Sequence, residues 1–307
     1  MNKRRIGNSE LIVSEIGLGC MSIGTNKREA AAVIDAALAE GINYLDTADL
    51  YDQGMNETII GEVIKPKRGE IILATKAGNR FEPGKEGWSW DPSKKHIKAA
   101  LKQSLTRLQT DYIDLFQLHG GTIEDDIDET IEAFEELKQE GVIRYYGISS
   151  IRPNVIREYV KRSSIVSVMM QYSLLDRRPE SLFPLLEEHT ISVLARGPLA
   201  KGLLTNRPLA KASAAIRENG YLDYSYEELE TLRNKLSENM TGEKDIHAMA
   251  LGYCLASPVV ASVVAGASKP EQIIASCKAV QHAGLTQEDI NTLQQLTKPS
   301  KYTQHQN

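Results

Sequence analysis

The chain alternates between short apolar runs and longer segments of helical spacing. The runs, rich in Ile, Val and Leu, are Glu15–Gly19, Asn43–Asp46, Ile71–Lys76, Ile113–Leu118, Tyr145–Ser149, Ser167–Gln171, Ser192–Arg196 and Ser262–Gly266. Between them Val33, Ile34, Ala37 and Leu38 share one helical face, as do Ile127, Ile131, Phe134 and Leu137, and again Ile156, Tyr159 and Val160. Gly41 after Glu40 and Gly141 after Glu140 predict helix stops. Asp91-Pro92-Ser93 predicts the start of the helix carrying Ile97, Leu101 and Leu108, with Ser93 or Asp91 as its cap. Pro153 and Pro270 stand where a first helical turn begins.

Continuous apolar strands alternating with helices predict an α/β fold with a parallel sheet covered by helices. Eight such units predict a closed (β/α)₈ TIM barrel. Arg4–Ile6 and Leu11–Val13 flank the turn-rich Gly7-Asn8-Ser9 and read as an N-terminal β-hairpin that plugs the barrel's bottom. One segment breaks the rhythm, at about 200–243. It is expected to be a long, irregular loop after strand seven, of the kind that serves as a lid or binding loop. No linker or short repeat interrupts the pattern, so 1–307 is expected to form one domain.

Composition narrows the function classes. With 41% hydrophobic and 25% charged residues over 307, the chain can bury a core without disulfides or metals. A net charge of -5 argues against a general nucleic-acid binder or an anionic-membrane binder. Cys20, Cys254 and Cys277 are too scattered for a disulfide framework or a zinc site, which suits a reducing, cytoplasmic setting. No apolar run reaches membrane-spanning length, and the basic start Met1–Arg5 has no apolar run behind it, so no signal peptide is expected.

In barrels of this kind chemistry sits at the C-terminal ends of the strands. Three consecutive runs end in Asp46, Lys76 and, just past Leu118, His119; Tyr51 follows the first of them. Charged groups at buried strand ends are costly unless paired. Singly, each residue has an ordinary reading: a structural ion pair for Asp46 and Lys76, a core or rim histidine, a rim tyrosine. Together they form a proton-delivery set. A free phenol, with a pKa of about 10, is a poor acid at neutral pH, and an adjacent ammonium favours its ionised form. A carboxylate would fix the ammonium, and an imidazole opposite could hold a carbonyl oxygen. That is what hydride addition to an aldehyde or ketone requires. Lys76 alone also admits a Schiff-base lyase. A metal-dependent hydrolase is disfavoured by six dispersed histidines without an HxH or carboxylate cluster.

Over nearly its whole length the sequence resembles the aldo-keto reductases. The resemblance rests on Gly17-Leu18-Gly19-Cys20-Met21, Gly41-Ile42-Asn43-Tyr44-Leu45-Asp46-Thr47-Ala48, Ala74-Thr75-Lys76, Asp111–His119, Gly141–Ser149 and Gly266–Gln272. It implies the barrel, and a catalytic tetrad of Asp46, Tyr51, Lys76 and His119 with Tyr51 as general acid. It also implies NADP(H), or less often NAD(H), held without a Rossmann fold, in keeping with the absence of GxGxxG. By resemblance the nicotinamide carboxamide meets Ser149, Ser150 and Gln171. The pyrophosphate lies under Leu199, Gly202, Leu203 and Leu204. The adenosine phosphate meets Gly266, Ser268, Lys269 and Gln272, a strand–turn–helix whose first amides and Lys269 suit a phosphate. A regulatory subunit that binds cofactor with little turnover also occurs among such relatives, so that alternative stays open.

Three positions depart from the family's pattern. Ser150 stands where an Asn is common. Arg196 stands where many members stack a Tyr on the nicotinamide; a guanidinium can stack on a ring and would repel the cationic oxidised form. Ala275 and Ser276 replace the Glu-Asn that faces the adenine in many relatives, which leaves an NADPH preference resting on Lys269 and Gln272. On the substrate side, Trp88 and Trp90 fall beside Lys76 in a loop made turn-rich by Pro83, Gly84 and Gly87, and are expected to wall the pocket. No bulky side chain follows His119, whose neighbours are Gly120 and Gly121. Tyr221, Tyr224 and Tyr226 either close over the site or anchor the barrel's flank. The partner expected is a small carbonyl compound.

Overall fold

The structure is a computed structural model that describes residues 1–82, 84–239 and 244–306, so Pro83 and the end of the 200–243 segment lie outside the described residues. Its strands are β1 (Lys3–Arg5), β2 (Ile12–Ser14), β3 (Ile16–Gly19), β4 (Tyr44–Asp46), β5 (Ile72–Ala77), β6 (Asn79–Arg80), β7 (Ser89–Trp90), β8 (Ile113–Leu118), β9 (Ile143–Ser149), β10 (Ser167–Gln171), β11 (Ser192–Arg196) and β12 (Val260–Gly266). Its helices are α1 (Lys27–Ala39), α2 (Met55–Ile64), α3 (Lys94–Leu108), α4 (Ile127–Gln139), α5 (Pro153–Arg162), α6 (Phe183–Glu188), α7 (Ala214–Asn219), α8 (Tyr226–Glu238), α9 (Ile246–Ala256), α10 (Pro270–Gln281) and α11 (Gln287–Leu296). β3, β4, β5, β8, β9, β10, β11 and β12 close into a parallel barrel in that order, β12 returning to pair with β3. The expected (β/α)₈ barrel is therefore the fold, each run within one to two residues of its strand.

Alternation along the strands builds the interior in layers. At the floor, β1 and β2 pair antiparallel (Arg4↔Val13), one residue off the expected hairpin. Ile6, Leu11 and Val13 from this hairpin are buried with Tyr44, Ala74, Leu115, Met169, Leu194 and Val264. Two residues beyond each of those strand positions stand Asp46, Lys76, Gln117, Gln171, Arg196 and Gly266. The strands thus carry an apolar plug below a polar ring.

The outward strand faces pack on helices whose ends are capped as the sequence indicates. Ser93 caps α3, its side chain accepting from His96 N, and Asp126 caps α4 by accepting from Glu129 N. Gly41 and Gly141 follow the helix ends at positive φ, and Pro153 and Pro270 open α5 and α10. The connection after β11 differs from the irregular loop expected, because it holds α7 and α8. Ser225 and Glu228 form a reciprocal capping box, and Leu229, Leu232 and Leu236 bury one face of α8. Among the described residues no helix is long and apolar enough to cross a membrane.

α2 follows the segment that carries Tyr51, and its seat depends on one close approach. A Cβ at Gly61 would stand 2.5 Å from Leu108 C and 2.6 Å from Arg107 O, both backbone atoms of α3. Gly61→Ala must therefore push the two helices apart. It is expected to cost about 1–3 kcal/mol, read as a lowered midpoint of thermal unfolding; an unchanged midpoint would show that the contact is not tight.

Candidate active site

The C-terminal mouth of the barrel opens into a cavity of about 1580 Å³. Asp46 ends β4 and Lys76 lies near the end of neighbouring β5, where both are almost fully buried, at 3% and 1% exposure. Lys76 Nζ donates to Asp46 Oδ1 at 2.5 Å, to Thr47 O at 2.7 Å and to the Tyr51 hydroxyl at 3.3 Å. Three N–H donors meet three acceptors, so the ammonium is fully satisfied. The second carboxylate oxygen of Asp46 accepts from Gln117 Nε2 at 3.0 Å and from the Tyr44 hydroxyl at 3.5 Å. Gln117 is a participant the sequence reading did not single out; its signal was a buried amide on an apolar strand, two residues before His119.

The network has a direction. Because the Tyr51 oxygen accepts from Lys76, its own proton points elsewhere. Burial alone would lower Lys76, but the Asp46 carboxylate outweighs it and holds the ammonium above its ordinary value. Burial pushes the Asp46 carboxyl up, against the pull of Lys76 and Gln117. The His119 ring stands edge-on to Tyr51, centroids 6.0 Å apart. Burial pushes His119 down to about 3, with Lys76 and Arg196 adding to the effect, and its Nδ1 is enclosed without a hydrogen-bond partner.

The Tyr51 segment is anchored from below. Thr47 Oγ1 donates to Asn56 Oδ1 at 2.7 Å, and Asn56 Nδ2 donates to Cys20 O at 2.8 Å. Glu57, fully buried, accepts from Thr75 Oγ1 at 2.6 Å and from Arg107 Nε at 2.7 Å. These bonds tie α2 to β5 next to Lys76.

Ser149, Ser150, Gln171, Arg196, Leu199, Gly202, Gly266, Ser268 and Gln272 all line the same cavity. Gln171 is held between neighbours: its Oε1 accepts from Arg196 Nη1 at 3.3 Å and its Nε2 donates to Asp176 at 2.9 Å. Two members of the expected set stand apart from the wall. Leu204, like Leu203, is buried in the core beneath the loop, and Lys269 is exposed outside it. The amides of Ser268 and Lys269 are taken by Gln272 Oε1, at 2.7 and 3.2 Å.

Trp88 and Trp90 both line the cavity in different ways. Trp88 is 60% exposed at the rim. Trp90 is half-buried, its ring against the bare backbone at Gly78 and Gly120 and its Nε1 donating to Asp125 at 2.9 Å. Tyr221 lines the cavity, whereas Tyr224 is buried and accepts from Lys298 N at 2.6 Å. The sequence reading missed the C-terminal tail. Ser300–His305 line the cavity, and the tail is pinned where Asn154 N donates to His305 O at 2.9 Å. With no periodicity in that stretch, no pattern could have placed it there. Among the described residues no group of three or more His, Cys, Asp or Glu is arranged to hold a metal.

Neutral burial of His119 has a consequence for stability. Below pH 6.5 the unfolded chain takes up a proton that the folded imidazole refuses until about pH 3, so this contribution is complete above 6.5 and is lost as pH falls. His119→Gln lacks it. The stability difference between wild type and variant should be constant above neutrality and shift against the wild type by up to about 1.4 kcal/mol per pH unit below 6.5. Denaturant unfolding across pH checks this; parallel curves throughout would contradict it.

Residues 15–298 match the Aldo/keto reductase family. The chain is 63% identical over 305 residues to the Uncharacterized oxidoreductase YqkF of Bacillus subtilis (strain 168), with 99% of each covered. It is similar to the solved aldo-keto reductase AKR11C1 from Bacillus halodurans, with 100% of both chains covered. Against the holo form the TM-score is 0.94 at 60% identity, and against the apo form it is 0.86 at 56%.

Proposed function

Because the chain belongs to the aldo/keto reductase family, a family of oxidoreductases that use nicotinamide cofactors, we propose that it is a cytoplasmic NADPH-dependent reductase that converts aldehydes or ketones to alcohols. The observation that carries this reading is the one-way network at Tyr51. Lys76 donates to the phenol oxygen, and the His119 ring stands edge-on to the phenol, centroids 6.0 Å apart. A nicotinamide coenzyme, when bound, would supply the hydride for the carbonyl carbon. Tyr51 gives its proton to the carbonyl oxygen, and Lys76 remains hydrogen-bonded to the phenolate left behind. Asp46 and Gln117 hold Lys76 in place. His119, kept neutral by burial, would hold the same carbonyl oxygen through a hydrogen bond from Nε2 while keeping its own proton.

The cavity residues fit the coenzyme's parts. Its length of wall, from Ser149 to Ser276, takes a dinucleotide and a small carbonyl compound together. Ser149, Ser150 and Gln171 would meet the carboxamide, and Arg196 the nicotinamide ring. The backbone of Leu199 and Gly202 would pass the pyrophosphate. Gly266, Ser268, Lys269 and Gln272 would take the adenosine phosphate once Gln272 yields the amides it caps. Trp88 and Trp90 would wall the substrate. A Schiff base at Lys76 needs a free amine, and all three of its donors are engaged with the ammonium favoured.

Tyr51→Phe should bind NADPH with nearly unchanged affinity and lose carbonyl reduction by about 10²–10⁴-fold. NADPH oxidation against a panel of aldehydes, quinones, dicarbonyls and sugars, with NADH alongside, tests both. Tight binding without turnover on any substrate would instead favour a regulatory subunit. Arg196→Ala should reduce the preference for NADPH over NADP⁺ in fluorescence and competition titrations, since the guanidinium repels a cationic ring. An unchanged ratio would remove Arg196 from the ring site.

A further inference from the structure

The coenzyme reading leaves the purine end of the cavity without a partner, and a buried histidine far along the chain supplies one. His247 stands in the first turn of α9, whose cap is Asp245, and is only 7% exposed. Both His247 and Ser276 of α10 line the cavity. His247 Nε2 lies 3.1 Å from Ser276 Oγ, and Ser276 Oγ lies 3.1 Å from Gln272 O. A serine has one hydroxyl proton, and a carbonyl oxygen can only accept. Both contacts are hydrogen bonds together only if Ser276 donates to Gln272 O and His247 donates from Nε2. The imidazole is then neutral, with its lone pair on Nδ1. Burial keeps it neutral by holding it below its ordinary value, against a weaker pull from Asp245.

That Nδ1 has no hydrogen-bond partner among the described residues and, unlike Nδ1 of His119, is not enclosed. Other polar groups on this part of the cavity wall are engaged. Ser276 is used as above, Gln272 Oε1 caps Ser268 and Lys269, and Asn206 Nδ2 donates to Asp245 at 2.5 Å. Ala275 has nothing to offer. Beside Ser276, one helical turn beyond Gln272, Nδ1 of His247 is thus an open acceptor on this stretch of wall.

Resting on the coenzyme reading above, we infer that His247 reads the purine: its Nδ1 accepts from the exocyclic amino group of the adenine. Ser276 is a positioning residue that fixes the tautomer. A purine with an oxo group in place of that amine presents an acceptor to an acceptor and is disfavoured.

The test is fluorescence titration of the intact protein with NADPH and with its deamino analogue, in which hypoxanthine replaces adenine. Wild type should bind NADPH about tenfold tighter than the analogue. His247→Ala should weaken NADPH by a similar factor and abolish the preference. His247→Asn, whose Oδ1 replaces Nδ1 as acceptor, should keep most of it. Equal affinities in the wild type, a comparison that needs no variant, or a preference that survives in His247→Ala, would overturn the inference. Equal affinities with carbonyl-dependent NADPH oxidation intact would overturn this inference alone. Failure of the wild type to bind NADPH at all would overturn the coenzyme reading as well.

Discussion

A lysine buried to 1% exposure is the constraint around which the mouth of this barrel is built. An ammonium taken out of water is costly, and its attraction to a carboxylate offsets the cost only when the remaining donors and lone pairs also find partners. Here they do. Asp46, Thr47 O and the Tyr51 hydroxyl take the three protons, while Gln117 and Tyr44 attend the second carboxylate oxygen. Remove Gln117 and an anionic oxygen is left underserved. Remove Tyr51 and one ammonium proton is orphaned. The same bonds that make Lys76 tolerable fix the phenol and aim its proton away from the lysine, so stability and chemistry are supplied by one network.

The barrel makes this network inexpensive to assemble. Neighbouring parallel strands set Asp46 against Ala74 and Lys76 against Gln117, so side chains distant in sequence meet without any loop having to order them. Below, Tyr44, Ala74 and Leu115 pack against the hairpin's Ile6, Leu11 and Val13, which seals the floor and keeps water from reaching the pair from beneath. What moves with Tyr51 is held by a second buried set, Thr47 to Asn56 and Thr75 to Glu57 to Arg107. Rigid strands carry the charged pair, and a tethered turn carries the phenol of Tyr51.

Legibility followed the same division. The strands were readable because each is a largely apolar run, and the polar ring because it falls at the run ends: Gln171 closes Val168-Met169-Met170, Arg196 closes Val193-Leu194-Ala195, Asp46 follows Tyr44-Leu45, and Lys76 ends Ile71-Ile72-Leu73-Ala74-Thr75. α8 was readable in principle, from Ser225, Glu228 and the spacing of Leu229, Leu232 and Leu236, but the polar residues around it masked the period. His247 was hidden for the opposite reason. α9 is buried on all sides, so no polar face marks one of its residues as special. The tail over the mouth and the seat of Trp90 on Gly78 and Gly120 depend on contacts between segments with no repeating pattern.

Net charge, by contrast, was a poor guide to the site. The chain carries -5 overall, yet Arg152, Lys201, Arg207 and Lys301 line the cavity beyond the polar ring, against one acidic side chain there among the described residues, Asp223. Asp46 is neutralised by Lys76, and Arg178 is spent on Asp176 at 2.6 Å. His119 stays uncharged because it is buried beside cations. The end of the cavity at Asp46 and Lys76 is thus nearly neutral, and cationic side chains outnumber acidic ones along the rest of the described wall. Low-dielectric walls keep such a local field from being averaged away by acidic residues on the outer surface. A chain of net negative charge can therefore still line one groove with cations, and it is the placement of charge along that groove, rather than the total, that acts on whatever enters it.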